Sequence, residues 1–169
     1  RNGQLAELLE RIQDLAVKDE LTGLYSRRHA MELLAKACGQ ARRGAFLLAV
    51  GFVDLDHFKR INDRHGHLFG DQVLVRFAEL TRRYLGDKDM AARLGGEEFL
   101  VMLPVIDMEQ ALTSVERLMS ALRAQRFMAA PALEVTASVG LTVVGHGENP
   151  DEVLVRADRL FYRAKAAGG

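Results

Sequence analysis

The sequence predicts a mixed α/β (α+β) fold: a central, antiparallel-containing sheet of split βαβ type, flanked by helices and preceded by an N-terminal stalk helix. Three observations carry that prediction. The apolar run Ala45 to Val53 has the character of a central strand buried on both faces. Two shorter runs, Met90 to Leu94 and Phe99 to Leu103, flank Gly95-Gly96-Glu97-Glu98, which reads as a hairpin with glycines available for positive φ. Helical periodicities alternate with these strands, so the order after the stalk and an opening helix is β-α-α-β-β-α-β-α.

Each element has its own warrant. Leu5, Leu8, Ile12 and Leu15 follow spacings of three, four and three, with Glu7, Glu10, Arg11 and Asp14 at the outer positions. Residues 1–17 are therefore either the end of a dimerising stalk or an amphipathic helix packed on its own domain, and residues 18–169 form one globular unit. Ser26 is placed to cap a helix carrying Ala30, Leu33, Leu34 and Ala37 on one face. Asp56 to Arg64 reads as a short helix stopped near Gly66, with Asp56 suited to its N-cap. From Asp71, the apolar residues Val73, Leu74, Phe77, Leu80 and Tyr84 recur at helical spacing as far as Gly86. Asp107 and Gln110 resemble a capping box ahead of a helix carrying Leu112, Val115, Leu118, Met119 and Leu122. Leu133 to Val144 reads as a strand. Asn149 and Pro150 fit N-cap and N1 of a last helix that turns Val153, Leu154, Ala157, Leu160, Phe161 and Ala164 inward.

Composition removes several function classes. A chain of 169 residues buries roughly 70% of its unfolded surface and needs no disulfide or metal staple. Lysine plus arginine and aspartate plus glutamate each number 23, whereas a simple electrostatic nucleic-acid binder carries a basic excess. The single cysteine, Cys38, excludes a disulfide framework or a multi-cysteine zinc site and suits a reducing cytosol. No apolar run approaches the roughly 20 residues of a membrane span, so no direct membrane insertion of this segment is expected. Beginning at Arg1 and ending at Gly168-Gly169, the sequence reads as a cytoplasmic part of something longer, whose parent protein is free to be membrane-anchored.

Two clusters suggest chemistry. Asp54-Leu55-Asp56 follows directly on the buried strand, and alternation points both aspartates to one side if the strand persists. Capping accounts for Asp56 but not for Asp54. Glu97-Glu98 sits at the hairpin tip, behind two glycines that let a bulky anion approach the backbone. Either these are solvated turn residues, or carboxylates from a strand end and a neighbouring hairpin together hold Mg²⁺, a hard cation that shares its shell with substrate phosphates. The sequence has no P-loop, so phosphates would fall to the helix-opening N–H groups of Asp56, His57 and Phe58 or to Lys59. Asn62 and Asp71 offer an amide and a carboxylate that match the edge of guanine, but a C-cap and a helix-dipole role explain them equally. The histidines and Cys38 show no metal-ligand spacing.

Together these residues resemble the GGDEF family, the diguanylate cyclases, from about Asp19 to the C-terminus. Asp19-Glu20-Leu21-Thr22-Gly23-Leu24 is similar to the family's opening motif D-x-L-T-G-L, followed by Arg27-Arg28. Phe52 to Asp63 is similar to its first metal strand and helix, and Gly66-His67-Leu68-Phe69-Gly70-Asp71 to its G-H-x-x-G-D. Arg93-Leu94-Gly95-Gly96-Glu97-Glu98-Phe99 is the name motif in its G-G-E-E-F form. Ser138-Val139-Gly140 and Ala157-Asp158 through Tyr162-Arg163-Ala164-Lys165 complete the series.

The resemblance implies a ferredoxin-like, palm-type fold akin to nucleotidyl cyclases, and an enzyme that joins two GTP into cyclic di-GMP with release of two pyrophosphates. It implies metal binding by Asp54, the Leu55 carbonyl and Glu97, with two Mg²⁺ per active site or Mn²⁺ in their place. It implies guanine recognition by Asn62 and Asp71, and phosphate contacts from Lys59, Lys165 and the backbone of His57 and Phe58, beside Gly95 and Gly96. Asp54, Lys59, Glu97 and Glu98 would form the catalytic group. The implied partners are GTP, a second copy in a C₂ homodimer with one GTP per subunit, an upstream sensory domain acting through the helix from Gln4 to Val17, and downstream cyclic di-GMP effectors. The alternative is a catalytically silent GTP-binding or protein-interaction module. The chain departs from the family pattern at two places. The product-inhibition motif R-x-x-D falls on Gly86-Asp87-Lys88-Asp89, with the aspartate retained and the arginine missing, so feedback through this site is expected to be weak. Many members continue G-R-N near the end, where this chain has Gly168-Gly169.

Overall fold

A computed structural model describes residues 2–41, 46–145 and 147–166. The expectations that rest on Ala45, Gly168, Gly169 and the Asp14 and Leu15 side chains lie outside the described residues. The elements are α1 (Asn2–Leu15), β1 (Tyr25–Ser26), α2 (Arg27–Ala41), β2 (Leu47–Leu55), α3 (Phe58–His65), α4 (His67–Tyr84), β3 (Met90–Gly95), β4 (Glu98–Val105), α5 (Met108–Ala124), β5 (Ala137–Val143) and α6 (Pro150–Ala166). The sheet order is β1-β3-β4-β2-β5. β1 runs parallel to β3, and every other pair is antiparallel. Strands β2 to β5, with α3–α4 and α5 as crossovers, are the split βαβ arrangement that the alternation of elements predicts.

The strand period explains the layers. Leu48, Val50 and Phe52 of β2, with Leu100 and Met102 of β4, pack under α2 and α6 against Ala30, Leu34, Val153, Ala157 and Phe161. Ala49, Val53 and Leu55, with Phe99, Val101 and Leu103, face α4 and α5 against Leu74, Phe77, Leu118 and Leu122. Both faces of β2 are thus covered, as its unbroken apolar run requires. Phe77 meets Phe99 edge-on at 4.7 Å between ring centroids, a favoured aromatic geometry. On the opposite face, α6 lies close to β5 because Gly140 has no side chain: a β-carbon there would stand 2.1 Å from the Ala157 carbonyl oxygen.

Several caps match the sequence reading. Ser26 Oγ accepts from His29 N–H at the start of α2, Asp107 Oδ1 from Gln110 N–H, and Asn149 Oδ1 from Glu152 N–H. Other expectations are corrected. Asp56 is not a helix cap: its carboxylate accepts from Thr136 and Ser138 hydroxyls at 2.7 Å, and α3 is entered through His57 in the left-handed region without a side-chain cap. Asn62 lies inside α3, whose C-cap is Gly66, so it is no C-cap. Helix α4 begins at His67, which puts Asp71 beyond its first turn. Leu112 points outward at 46% exposure, and Ala111 takes the buried position. The last strand is shorter than Leu133 to Val144, because the chain ahead of it closes turns through Ala130 N–H to Phe127 O and Leu133 N–H to Ala130 O. β1 is too short to leave a periodic signal.

Leu5, Leu8 and Ile12 of α1 are 58%, 53% and 56% exposed, so this apolar stripe is not packed on its own domain. No helix among the described residues is long and apolar enough to cross a membrane.

Candidate active site

The end of β2 gathers most of the predicted residues. Asp54 stands opposite Glu98 of β4 and Ser138 of β5 in the strand register. Leu55 N–H donates to the Glu97 carbonyl at 3.2 Å, which holds the hairpin tip against the strand end. Gly95 and Gly96 have φ of 148° and 50°, values that a side chain resists, so the turn before Glu97 depends on glycine. Lys165 of α6 places Nζ 3.8 Å from Asp54 Oδ1 and 5.3 Å from the Phe161 ring centroid. The tight α6–β5 contact at Gly140 sets that approach.

The electrostatics follow from this crowding. Burial pushes the Asp54 carboxyl up to about 6; Glu97, Glu98 and Asp56 push the same way, and Lys165 opposes them. Burial also raises Glu98, helped by Glu97 and Asp158 and opposed by Arg27. Carboxylates held together against their mutual repulsion invite a cation. Among the described residues no group of three or more histidine, cysteine or acidic side chains closes a metal cage by itself. The donors at hand, Asp54, Glu97 and the backbone at Leu55, are hard oxygen ligands, which fit an ion that completes its shell with phosphate and water.

The turn after β2 offers a place for phosphate. His57 is the one non-glycine residue at positive φ among the described residues, at 56°. A left-handed residue leading into a helix turns successive N–H groups toward one side, the geometry of anion-binding nests. Asp56 N–H is already used by the Thr136 carbonyl at 2.8 Å, so it drops out of the predicted trio and His57 and Phe58 remain. Lys59 is exposed on the first turn of α3.

Asn62 and Asp71 lie on neighbouring helices α3 and α4. Asp71 is exposed and Asn62 is half-buried, with Oδ1 the one buried side-chain polar atom lacking a hydrogen bond among the described residues. Asp89 folds back on its own turn: Gly86 N–H donates to Asp89 Oδ2 at 2.7 Å, and burial raises the carboxyl despite that bond. It lines a cavity of 230 Å³ with Lys18, Arg82 and Tyr25 among its other walls.

Sequence reasoning gave no role to the clamp behind the hairpin. Arg93 Nη1 donates to both Asp19 oxygens at 3.3 Å, and its Nε donates to the Gly96 carbonyl at 2.9 Å. Asp19 in turn accepts from the Thr22 amide and hydroxyl. The available signal was an arginine two residues before a Gly-Gly pair, but its partner lies 74 positions away.

The sequence model of the family described as "Diguanylate cyclase, GGDEF domain" matches residues 16–169. The chain belongs to the GGDEF family. It is 37% identical, over 99% of its length, to a diguanylate cyclase, DgcP, of Pseudomonas aeruginosa. It is 37% identical, over 95% of its length, to the response regulator PleD of Caulobacter vibrioides. The chain spans 28% and 36% of these two relatives. The crystal structure of the coiled coil and GGDEF domain of DgcB from Caulobacter crescentus in complex with c-di-GMP superposes with a TM-score of 0.85. Its identity is 30%, over 98% of this chain and 89% of that one. Together the family match and the relatives support a cyclic di-GMP cyclase domain.

Proposed function

We propose that this chain condenses two GTP molecules into cyclic di-GMP and two pyrophosphates, as a homodimer with one GTP bound per subunit. The observation that carries this reading is the convergence of Asp54, Glu97, Glu98 and Lys165 at the end of β2, in a chain of this family. Asn62 and Asp71 take the guanine. Lys59, Lys165 and the N–H groups of His57 and Phe58 take the triphosphate, and Gly95 and Gly96 leave room beside it. Asp54, the Leu55 carbonyl and Glu97 would hold two Mg²⁺ per site, or Mn²⁺ in their place, to offset the charge that develops as an oxygen attacks the α-phosphate. Glu98, whose carboxyl is raised, accepts the proton of the attacking 3′-OH. Each bond forms between O3′ of one GTP and the α-phosphorus of the other, and pyrophosphate leaves from the opposite side.

One domain holds one nucleotide, so a two-fold axis makes both bonds by the same geometry. On this reading residues 1–17 are a signalling helix that sets the mutual orientation of two units built from residues 18–169. The exposed stripe of Leu5, Leu8 and Ile12 supports that division. The upstream input would be a sensory domain, the output cyclic di-GMP effectors, and the compartment the cytoplasm. Gly86, where the family motif has arginine, and the bond that ties the Asp89 carboxylate to the Gly86 N–H support weak product inhibition. The test is turnover of GTP against protein concentration, with and without a leucine zipper fused in register with Leu5 and Leu8. Specific activity that rises with concentration and is high in the fusion supports the homodimer. GTP binding with no product from the fusion would instead mark a catalytically silent module.

A further inference from the structure

Gly70 occupies an unexpected place. It sits inside α4, where glycine costs about 1 kcal/mol relative to alanine, and its backbone is ordinary helix with no positive φ. The reason is its neighbour. A β-carbon at Gly70 would lie 1.8 Å from Asn62 Oδ1, 3.0 Å from Asn62 Cγ and 3.2 Å from Phe58 Cζ. The carboxamide oxygen of α3 therefore fills the volume that any other residue of α4 would need.

That oxygen is also the orphan acceptor, buried without a hydrogen bond. Against the weakly donating Cα–H face of a glycine, an oxygen is tolerated and an amide NH₂ is not. The buried end of the half-buried Asn62 amide is thus Oδ1, and the end left toward the helix pair's outer side is Nδ2, a donor. Asp71, the next residue after Gly70, is exposed and supplies acceptors alone when ionised.

We infer that Gly70 is a specificity-positioning residue: by lacking a side chain it leaves the space that Asn62 Oδ1 fills, which keeps Nδ2 outward, so that this donor and the Asp71 acceptors together select a guanine nucleotide. Guanine presents both acceptor atoms and adjacent N–H donors to such a pair, whereas adenine offers a bare ring nitrogen where guanine has N1–H. The inference rests on the base site proposed above and adds the residue that orients it.

The test is a double-mutant cycle on the full chain, using Gly70→Ala, Asn62→Ala and the double variant. The probes are 3′-deoxy-GTP and 3′-deoxy-ATP with Mg²⁺, which lack the attacking hydroxyl and are not condensed, and binding is read by calorimetry. Gly70→Ala is expected to weaken 3′-deoxy-GTP about tenfold, the scale of one hydrogen bond, and to leave 3′-deoxy-ATP within about twofold. In the Asn62→Ala background it should have no further effect. An equal loss in both backgrounds, or an equal loss for both nucleotides, overturns the inference. Asn62→Ala binding 3′-deoxy-GTP as tightly as the parent overturns the base-site reading itself, a separate result. Should Gly70→Ala alone fail to fold, the double variant decides by its melting transition. Recovery of folding shows that the clash is with Asn62, and failure assigns the constraint to Phe58 and overturns the inference.

Discussion

Lys165 Nζ stands 3.8 Å from Asp54 Oδ1, so the last helix brings a cation to the strand end where the carboxylates crowd. In the nucleotide complex this ammonium is expected to serve phosphate rather than Asp54. Lys165→Ala should weaken 3′-deoxy-GTP and 3′-deoxy-ATP alike, by about tenfold for the loss of one charge-assisted contact. Calorimetry with both probes checks this; a loss confined to the guanine nucleotide would contradict it.

Asp54 carries a stability cost that a metal bound as proposed would relieve. Its folded carboxyl is raised from 3.8 to about 6, so the folded chain holds the proton more tightly than the unfolded chain. Metal-free stability is therefore expected to fall as pH rises from about 4 to about 6. Asp54→Asn should melt higher than the parent at pH 7 without metal and lose turnover. Millimolar Mg²⁺ should raise the parent's melting midpoint by mass action, and leave the variant's unchanged.

Asp19 works in the opposite direction. Burial raises its carboxyl, but the Thr22 hydroxyl and amide and the Arg93 guanidinium outweigh burial and hold it below its usual 3.8. Its contribution is present above that value and lost as pH falls through the folded one. Asp19→Asn should therefore lower the melting midpoint near neutrality and narrow its difference from the parent in acid. Because Arg93 also holds the Gly96 carbonyl, Arg93→Ala should reduce turnover more than it reduces 3′-deoxy-GTP binding, since it loosens the hairpin that carries Glu97 and Glu98.

Gly140→Ala tests how α6 is placed. The added methyl would stand 2.1 Å from the Ala157 carbonyl and 2.3 Å from the Phe161 nitrogen, both backbone atoms. Overpacking of this kind costs about 1–3 kcal/mol, or roughly 2–10 °C in a chain of this size. The shift of α6 should also carry Lys165 away from Asp54. Melting curves and probe affinity should therefore fall together.

What the sequence showed, and what it hid, divides along sequence separation. The apolar run of β2, the Ser26 and Asn149 caps and the glycine hairpin are local, and each was readable from neighbours in the chain. Asp56 was misread because its real partners, Thr136 and Ser138, arrive from 80 and 82 positions away. Leu112 and Ala111 differ by one position in a helix whose apolar stripe is wide enough to accept either. The Arg93 clamp, and the closeness that Gly70 and Gly140 permit, are properties of packed surfaces: a glycine within an element announces that something is near and not what it is. For the candidate site, the residue types at β2 and the hairpin were legible. Their convergence with Lys165 required the strand register and the seating of α6.

Condensation of GTP at the carboxylate cluster beside β2 is read from its product. The chain, fused to a dimerising zipper, is incubated with GTP and Mg²⁺ beside its Glu97→Gln variant, and the nucleotides are weighed by mass spectrometry. Cyclic di-GMP from the first, and none from a variant that melts like the parent, is the predicted result. Equal product from both, or none from a parent that binds GTP, would rule out condensation at this cluster.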